Sequence, residues 1–261
     1  MLIDSHCHLH DAAYADLGQT LTRAVQHDVW GVVAVGCDAQ TNDRVRAAAC
    51  AESKRVWAGA GFHPEWTQLG DLDLERVEAQ VAEHHARLVA VGEVGLPWYS
   101  LEGAADAADR MTRGRDRLGR LLRLAARFDL AVILHAPHGA AADALEALQR
   151  AGQERAVFHW HKAPAEVTTR ILDAGYLVSV GPEVVYRERD RALVEMTPLE
   201  SLLVESDGPW PYQGEFQGEA SGPWMVSRVA EEVAKIKHLP VDETVFQLSV
   251  NACRLFDLVW A

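Results

Sequence analysis

No stretch of this 261-residue chain reaches the roughly 20 apolar residues that a membrane-spanning helix needs, because charges or prolines interrupt every hydrophobic run. A membrane protein of that kind is therefore not expected. The N-terminus, MLIDSHCHLH, lacks the basic start and apolar run of a secretory leader, so a cytoplasmic location is expected. Cysteine is scarce. Cys7, Cys37, Cys50 and Cys253 are scattered and form no C-x-x-C pair, which gives neither a disulfide framework nor zinc-finger spacing and fits a reducing compartment. Basic residues are also few: 25 Lys and Arg stand against 38 Asp and Glu, for a net charge of -13. That balance excludes a nonspecific nucleic-acid coat, whose phosphate contacts would come from Lys and Arg. It leaves a nuclease open, because bound divalent cations can supply positive charge at the scissile phosphate.

What is present is an ordinary globular composition, 49% apolar and 24% charged, with no low-complexity tract. Apolar runs of strand length recur, each followed by a helical segment: residues 2–6, 31–36, 56–62, 88–95, 131–136, 156–160, 176–181 and 201–206. Strands this uniformly apolar suit a parallel sheet covered by helices, and eight such units point to a TIM-type (β/α)8 barrel. A doubly wound open sheet is the alternative. Residues 207–223, rich in Gly, Pro and aromatics, read as a long surface loop, and helices are expected near 224–237 and 242–257. With no visible linker, one domain over 1–261 is expected, and the oligomeric state is left open.

Metal-capable side chains gather at one end of these strands. His6 and His8 are one residue apart and share a face of the first strand. Taken alone, such a pair is as readily chance in a chain with 12 histidines. Glu93, His135, His159 and Asp207 follow at the ends of the fourth, fifth, sixth and eighth strands, however, and in a barrel those ends converge on the face where such enzymes work. Four imidazoles and two carboxylates suffice for two divalent ions with open positions, Glu93 being the candidate bridge. Softness favours zinc, manganese, iron or cobalt over magnesium or calcium, although cellular availability keeps magnesium among the candidates.

At these residues the sequence resembles the TatD family of metal-dependent deoxyribonucleases, an amidohydrolase-like barrel group. The resemblance runs through SHCHL (5–9), GFHP (61–64), GEVGL (92–96), His135, His159, LLVESDGPW (202–210) and NACRLF (251–256). It implies metal binding by His6, His8, Glu93, His135, His159 and Asp207, with DNA as substrate. The chain departs from the family at Pro97 and Trp98, where Asp and an aromatic residue are usual. It departs again at Pro137, where Arg is common, and at Trp160-His161-Lys162, where Cys-Phe and small residues are usual. These changes spare the ligands and alter the groups around the substrate.

In the resulting reading, Asp207 and Glu93 hold metal and orient water, with Glu205 as a proton acceptor behind them or the partner in a structural ion pair. His63 would meet phosphate or a metal-bound water, or support the ligands from behind; Arg187 would meet phosphate or stand as a solvated charge at a helix start; and Trp98 and Trp210, with Trp160 and Trp224 as further candidates, would stack on bases or pack under the loop. His10, His138 and His161 are given no ligand role. Two alternatives remain: a hydrolase of a small amide, lactone or phosphoester on the same site, and a non-enzymatic metal-binding interaction module.

Overall fold

The computed structural model describes residues 2–259. Eight parallel strands lie side by side in chain order: β1 (Leu2–Cys7), β2 (Val29–Val35), β3 (Val56–Phe62), β4 (Leu88–Gly95), β5 (Ala131–His135), β6 (Ala156–Phe158), β7 (Leu177–Val180) and β8 (Leu202–Val204). A doubly wound sheet would reverse its strand order at a switch point, and this one does not. The chain is a TIM barrel. Its helices are α1 (Leu17–Gln26), α2 (Ala39–Ala51), α3 (Asp71–His84), α4 (Ala107–Arg127), α5 (Ala140–Ala151), α6 (Ala165–Asp173), α7 (Glu188–Met196), α8 (Val226–Lys237) and α9 (Val241–Phe256). None of the described helices is long and apolar enough to cross a membrane.

Both faces of the strands are apolar because both are covered. In β5, Ala131 and Ile133 join an inner cluster with Ile3, Val157, Leu177 and Leu203, whereas Val132 and Leu134 pack outward with Leu118, Leu121 and Leu122 of α4. Continuing that alternation carries His135 to the inner side at the barrel mouth. The same parity brings His159 after β6 and Glu205 and Asp207 after β8 inward.

Two strands reach the mouth only by breaking alternation. In β1, Ile3 faces inward and Cys7 packs outward, with a register irregularity between Asp4 and Cys7. In β4, Ala90 is inward and Val94 outward, with an irregularity between Val91 and Val94. A one-residue slip exchanges the faces of a strand. These slips are what turn His6, His8 and Glu93 into the interior.

The β1–β8 seam is bridged by few strand contacts and many side-chain ones. Buried Asp4 accepts hydrogen bonds through Oδ1 from the Ser206 amide (2.9 Å) and the His6 amide (3.2 Å), and its Oδ2 lies 2.5 Å from Ser206 Oγ. The Ser5 hydroxyl donates to Val204 O (2.9 Å), the Asp207 amide to His6 O (3.0 Å) and the His8 amide to Gly208 O (2.9 Å). Burial raises the Asp4 pKa to about 7 even though these donors pull it down.

The segment after β8 is less superficial than its composition suggests. Tyr212, Phe216 and Trp224 are buried, the Tyr212 hydroxyl donates to Ser206 O (2.6 Å), and the Tyr14 hydroxyl donates to Ser221 O (2.9 Å). Its turns pack on the barrel rim.

Removing the Asp4 carboxylate leaves buried amides without an acceptor. Asp4→Ala is expected to lower the urea unfolding free energy by about 2–4 kcal/mol, and Asp4→Asn, which keeps one acceptor oxygen, by distinctly less.

Candidate metal centre

Glu93 is 1% exposed, and its two carboxylate oxygens face two different sets of donors. Oε2 lies 3.4 Å from both His6 Nε2 and His8 Nε2. Asp207 Oδ1 lies 3.4 Å from His6 Nε2 and 3.3 Å from His8 Nε2, and the two imidazole nitrogens are 3.4 Å apart. Neighbouring donors of a tetrahedral zinc ion, each about 2.0–2.1 Å from the metal, stand about 3.3–3.4 Å apart, the spacing within the His6–His8–Glu93 group and from Asp207 to both imidazoles. Glu93 Oε2 has no hydrogen-bond partner although it is buried. Donor atoms at this spacing, one of them buried and otherwise unsatisfied, fit a divalent cation.

Oε1 of Glu93 faces the second set: His159 Nε2 at 2.8 Å, His135 Nδ1 at 2.9 Å and His63 Nε2 at 3.2 Å. Burial alone would raise the Glu93 pKa, but the charges of His63 and His159 and the hydrogen bonds from His135 and His159 outweigh it and hold the group well below its usual range. Burial opposes a charge on His159 as well, yet Glu93 and Glu205 lift its pKa to about 10. The protein alone thus gathers positive charge around Glu93, the work a divalent cation would do.

Hydrogen bonding assigns the ring nitrogens. The His135 Nε2–H donates to Glu65 Oε1 (3.2 Å), so that with an ion bound the Nδ1 proton now shared with Glu93 would give way to a lone pair for the metal. His63 differs. Its Nδ1 accepts from the Glu65 amide (3.2 Å), so in the neutral ring Nε2 carries the proton and serves as a donor. The His10 Nδ1–H donates to Val35 O (3.1 Å), while Cys37 Sγ stands 3.6 Å from His8 Nδ1.

Two carboxylates buttress these rings. Glu205, fully buried, accepts from the Ser179 hydroxyl (2.6 Å) and the Trp160 amide (2.7 Å), and its Oε1 is 3.4 Å from His159 Nδ1. With both oxygens engaged, its geometry is that of an orienting group. Glu65 accepts from the amides of Trp98 (2.7 Å), Tyr99 (3.0 Å) and Ser100 (2.9 Å) besides His135. Burial works against its charge, but those donors dominate and bring its pKa to about 2.

A cavity of about 690 Å³ opens over both sets, walled by Trp66, Tyr99, Trp160, Trp210 and Lys162 among others. Trp210 is 52% exposed and meets Trp160 edge to face, with ring centroids 5.3 Å apart. Two expected substrate contacts lie elsewhere. Arg187 does not line the cavity: Glu183, one turn earlier, holds its guanidinium at 3.4 Å. The Trp98 ring does not line it either. With its amide pinned by Glu65, Trp98 turns its indole toward His138, 5.6 Å between centroids, and Tyr99 takes the wall position. Trp224 is buried beneath the Arg23 guanidinium, 3.8 Å from its ring. His161 packs inward against the Thr168 hydroxyl (2.8 Å), outside both sets.

Glu65, Cys37, Tyr99 and Lys162 were not assigned roles from sequence. Glu65 and Cys37 each stand just beyond the end of a strand, a position that could have marked them.

The TatD related DNase family matches residues 3–257 of the chain. Among relatives, an uncharacterized metal-dependent hydrolase of Haemophilus influenzae is 29% identical over 259 residues, covering 99% of this chain and 100% of that protein. The human deoxyribonuclease TATDN3 is 29% identical over 266 residues, covering 98% of this chain and 94% of its own. The crystal structure of YJJV, a TatD homolog from Escherichia coli, superposes with a TM-score of 0.88 at 29% identity, covering 99% of this chain and 98% of that one. With matched residues spanning all eight strands and every side chain of both donor sets, the chain belongs to the family of TatD related DNases.

Proposed function

We propose that this protein is a deoxyribonuclease that hydrolyses phosphodiester bonds using two divalent metal ions, with the whole activity carried by one barrel domain, residues 1–261. His6, His8 and Asp207 would hold one ion, His135 and His159 the other, and Glu93 both. The observation that carries the reading is the division of the Glu93 oxygens between two donor sets, 3.4 Å from His6 and His8 on one side and 2.8–2.9 Å from His159 and His135 on the other. The mixed nitrogen and oxygen donors favour zinc or manganese, with magnesium as a third candidate.

When bound, such ions supply Lewis acidity toward phosphate and a water of lowered pKa. The protein's own groups do the rest. Asp207, at the cavity floor, orients the attacking water and accepts its proton. The His63 Nε2–H donates to a phosphate oxygen as charge builds there. Glu205 fixes His159 through its place behind the ring, and Glu65 fixes His135 and the Tyr99 wall. Trp210 offers an exposed face for a splayed base.

A second reading, hydrolysis of a small phosphoester, amide or lactone, draws on the cavity of about 690 Å³, a volume typical of small-molecule sites.

The test is turnover of labelled single- and double-stranded DNA by protein stripped of metal and reloaded with manganese, magnesium or zinc. Stripping should abolish cleavage and reloading restore it. Glu93→Ala and Asp207→Ala should each lose cleavage by at least about 100-fold with an unchanged circular-dichroism spectrum. Turnover of a small ester or amide with all DNA left intact would overturn the reading in favour of the second. For His63→Asn, which lacks the aligned ring donor, kcat should fall by about 10²–10³-fold while both ions stay bound. Loss of an ion in that variant would instead make His63 a ligand.

A further inference from the structure

Four carboxylates line the cavity, Asp11, Glu65, Glu93 and Asp207, and Lys162 is the only Lys or Arg among its described lining residues. Other cations of the neighbouring β7–α7 segment are already engaged. Arg187 pairs with Glu183, and Arg189 pairs with both Glu183 and Asp190 at 2.7 Å. The Lys162 ammonium pairs with no carboxylate among the described residues and sits 3.4 Å from the centroid of the Trp160 ring.

This placement is built into the backbone. Trp160 has a φ of 37°, a conformation rare for a bulky residue. It is held there by its amide, which donates to Glu205 Oε1 (2.7 Å) and Ser179 Oγ (3.1 Å), while the next amide, of His161, donates to Ser179 O (3.1 Å). The turn sends the His161 side chain inward to Thr168 and lets His159, Trp160 and Lys162 all line the cavity. A cation on an aromatic face keeps its ammonium hydrogens available to an acceptor on the open side.

We infer that Lys162, seated on Trp160, is a phosphate-binding subsite: its ammonium takes a non-bridging oxygen of a substrate phosphate, and the Trp160–Trp210 pair walls the attached nucleoside. The inference rests on the nuclease reading of the same cavity and adds a specificity determinant to it. In a chain of net charge -13 with one unengaged side-chain cation lining its cavity, the share of the salt dependence of substrate capture that comes from the cavity's Lys and Arg side chains passes through Lys162.

The test compares wild-type protein with K162M and K162R, all metal-loaded, in two measurements. In the first, steady-state cleavage of a short labelled single-stranded oligodeoxynucleotide is followed from 50 to 300 mM salt. K162M should raise KM about tenfold with kcat within about twofold, and flatten the plot of log kcat/KM against log salt by about 0.7, while K162R restores most of both. In the second, inorganic phosphate is titrated against tryptophan fluorescence, where K162M should weaken the response about tenfold. Wild-type cleavage with KM, slope and phosphate response all unchanged in K162M overturns the subsite and leaves the nuclease reading standing. A wild type that leaves DNA intact yet binds phosphate through Lys162 overturns the nuclease reading and keeps the subsite.

Discussion

A carboxylate with almost no access to water dictates the design of this protein. Glu93 is charged, buried and shared by five imidazoles, and no solvent can neutralise it. A buried charge of this kind is tolerated only with compensating charge or a bound cation. The rest of the barrel supplies the geometry of that compensation. Strand ends deliver the imidazoles, the Asp4–Ser206 bridge keeps β1 beside β8 so that His6 and Asp207 meet, and Glu205 and Glu65 hold His159 and His135 from behind.

The same constraint reconciles an acidic protein with an anionic substrate. A net charge of -13 does not favour DNA overall, and attraction would be local to the cavity, where cations held by Glu93 and Asp207 would reverse the sign of the field. Aromatic walls contribute stacking that is indifferent to charge. With one Lys and no Arg among the described lining residues of the cavity, a nuclease arranged this way would contact few phosphates at once.

Much of this was legible in the sequence. β3 and β4 have the bounds expected from their apolar runs, and the other six strands differ from expectation at their ends by up to two residues or, for β6 and β8, end two residues early. The ligand-type residues were legible because strand ends in a barrel share one face, so that order along the chain becomes proximity in space. The register slips in β1 and β4 were not, since alternation counted from Ile3 or Ala90 would point His6 and Glu93 outward. Substrate contacts were the least legible. Arg187 and Lys162 are both cations near the ends of strands, and what separates them is a partner: Glu183 reaches one, and an indole lies under the other. Trp98 and Tyr99 likewise exchange roles because one carboxylate, Glu65, pins their amides.

The most direct measurement is anomalous diffraction from crystals grown with zinc or manganese. Two peaks about 3.5–4 Å apart, one beside each oxygen of Glu93, are expected. A single ion, or ions seated away from Glu93, would contradict the central claim that this carboxylate joins two metals.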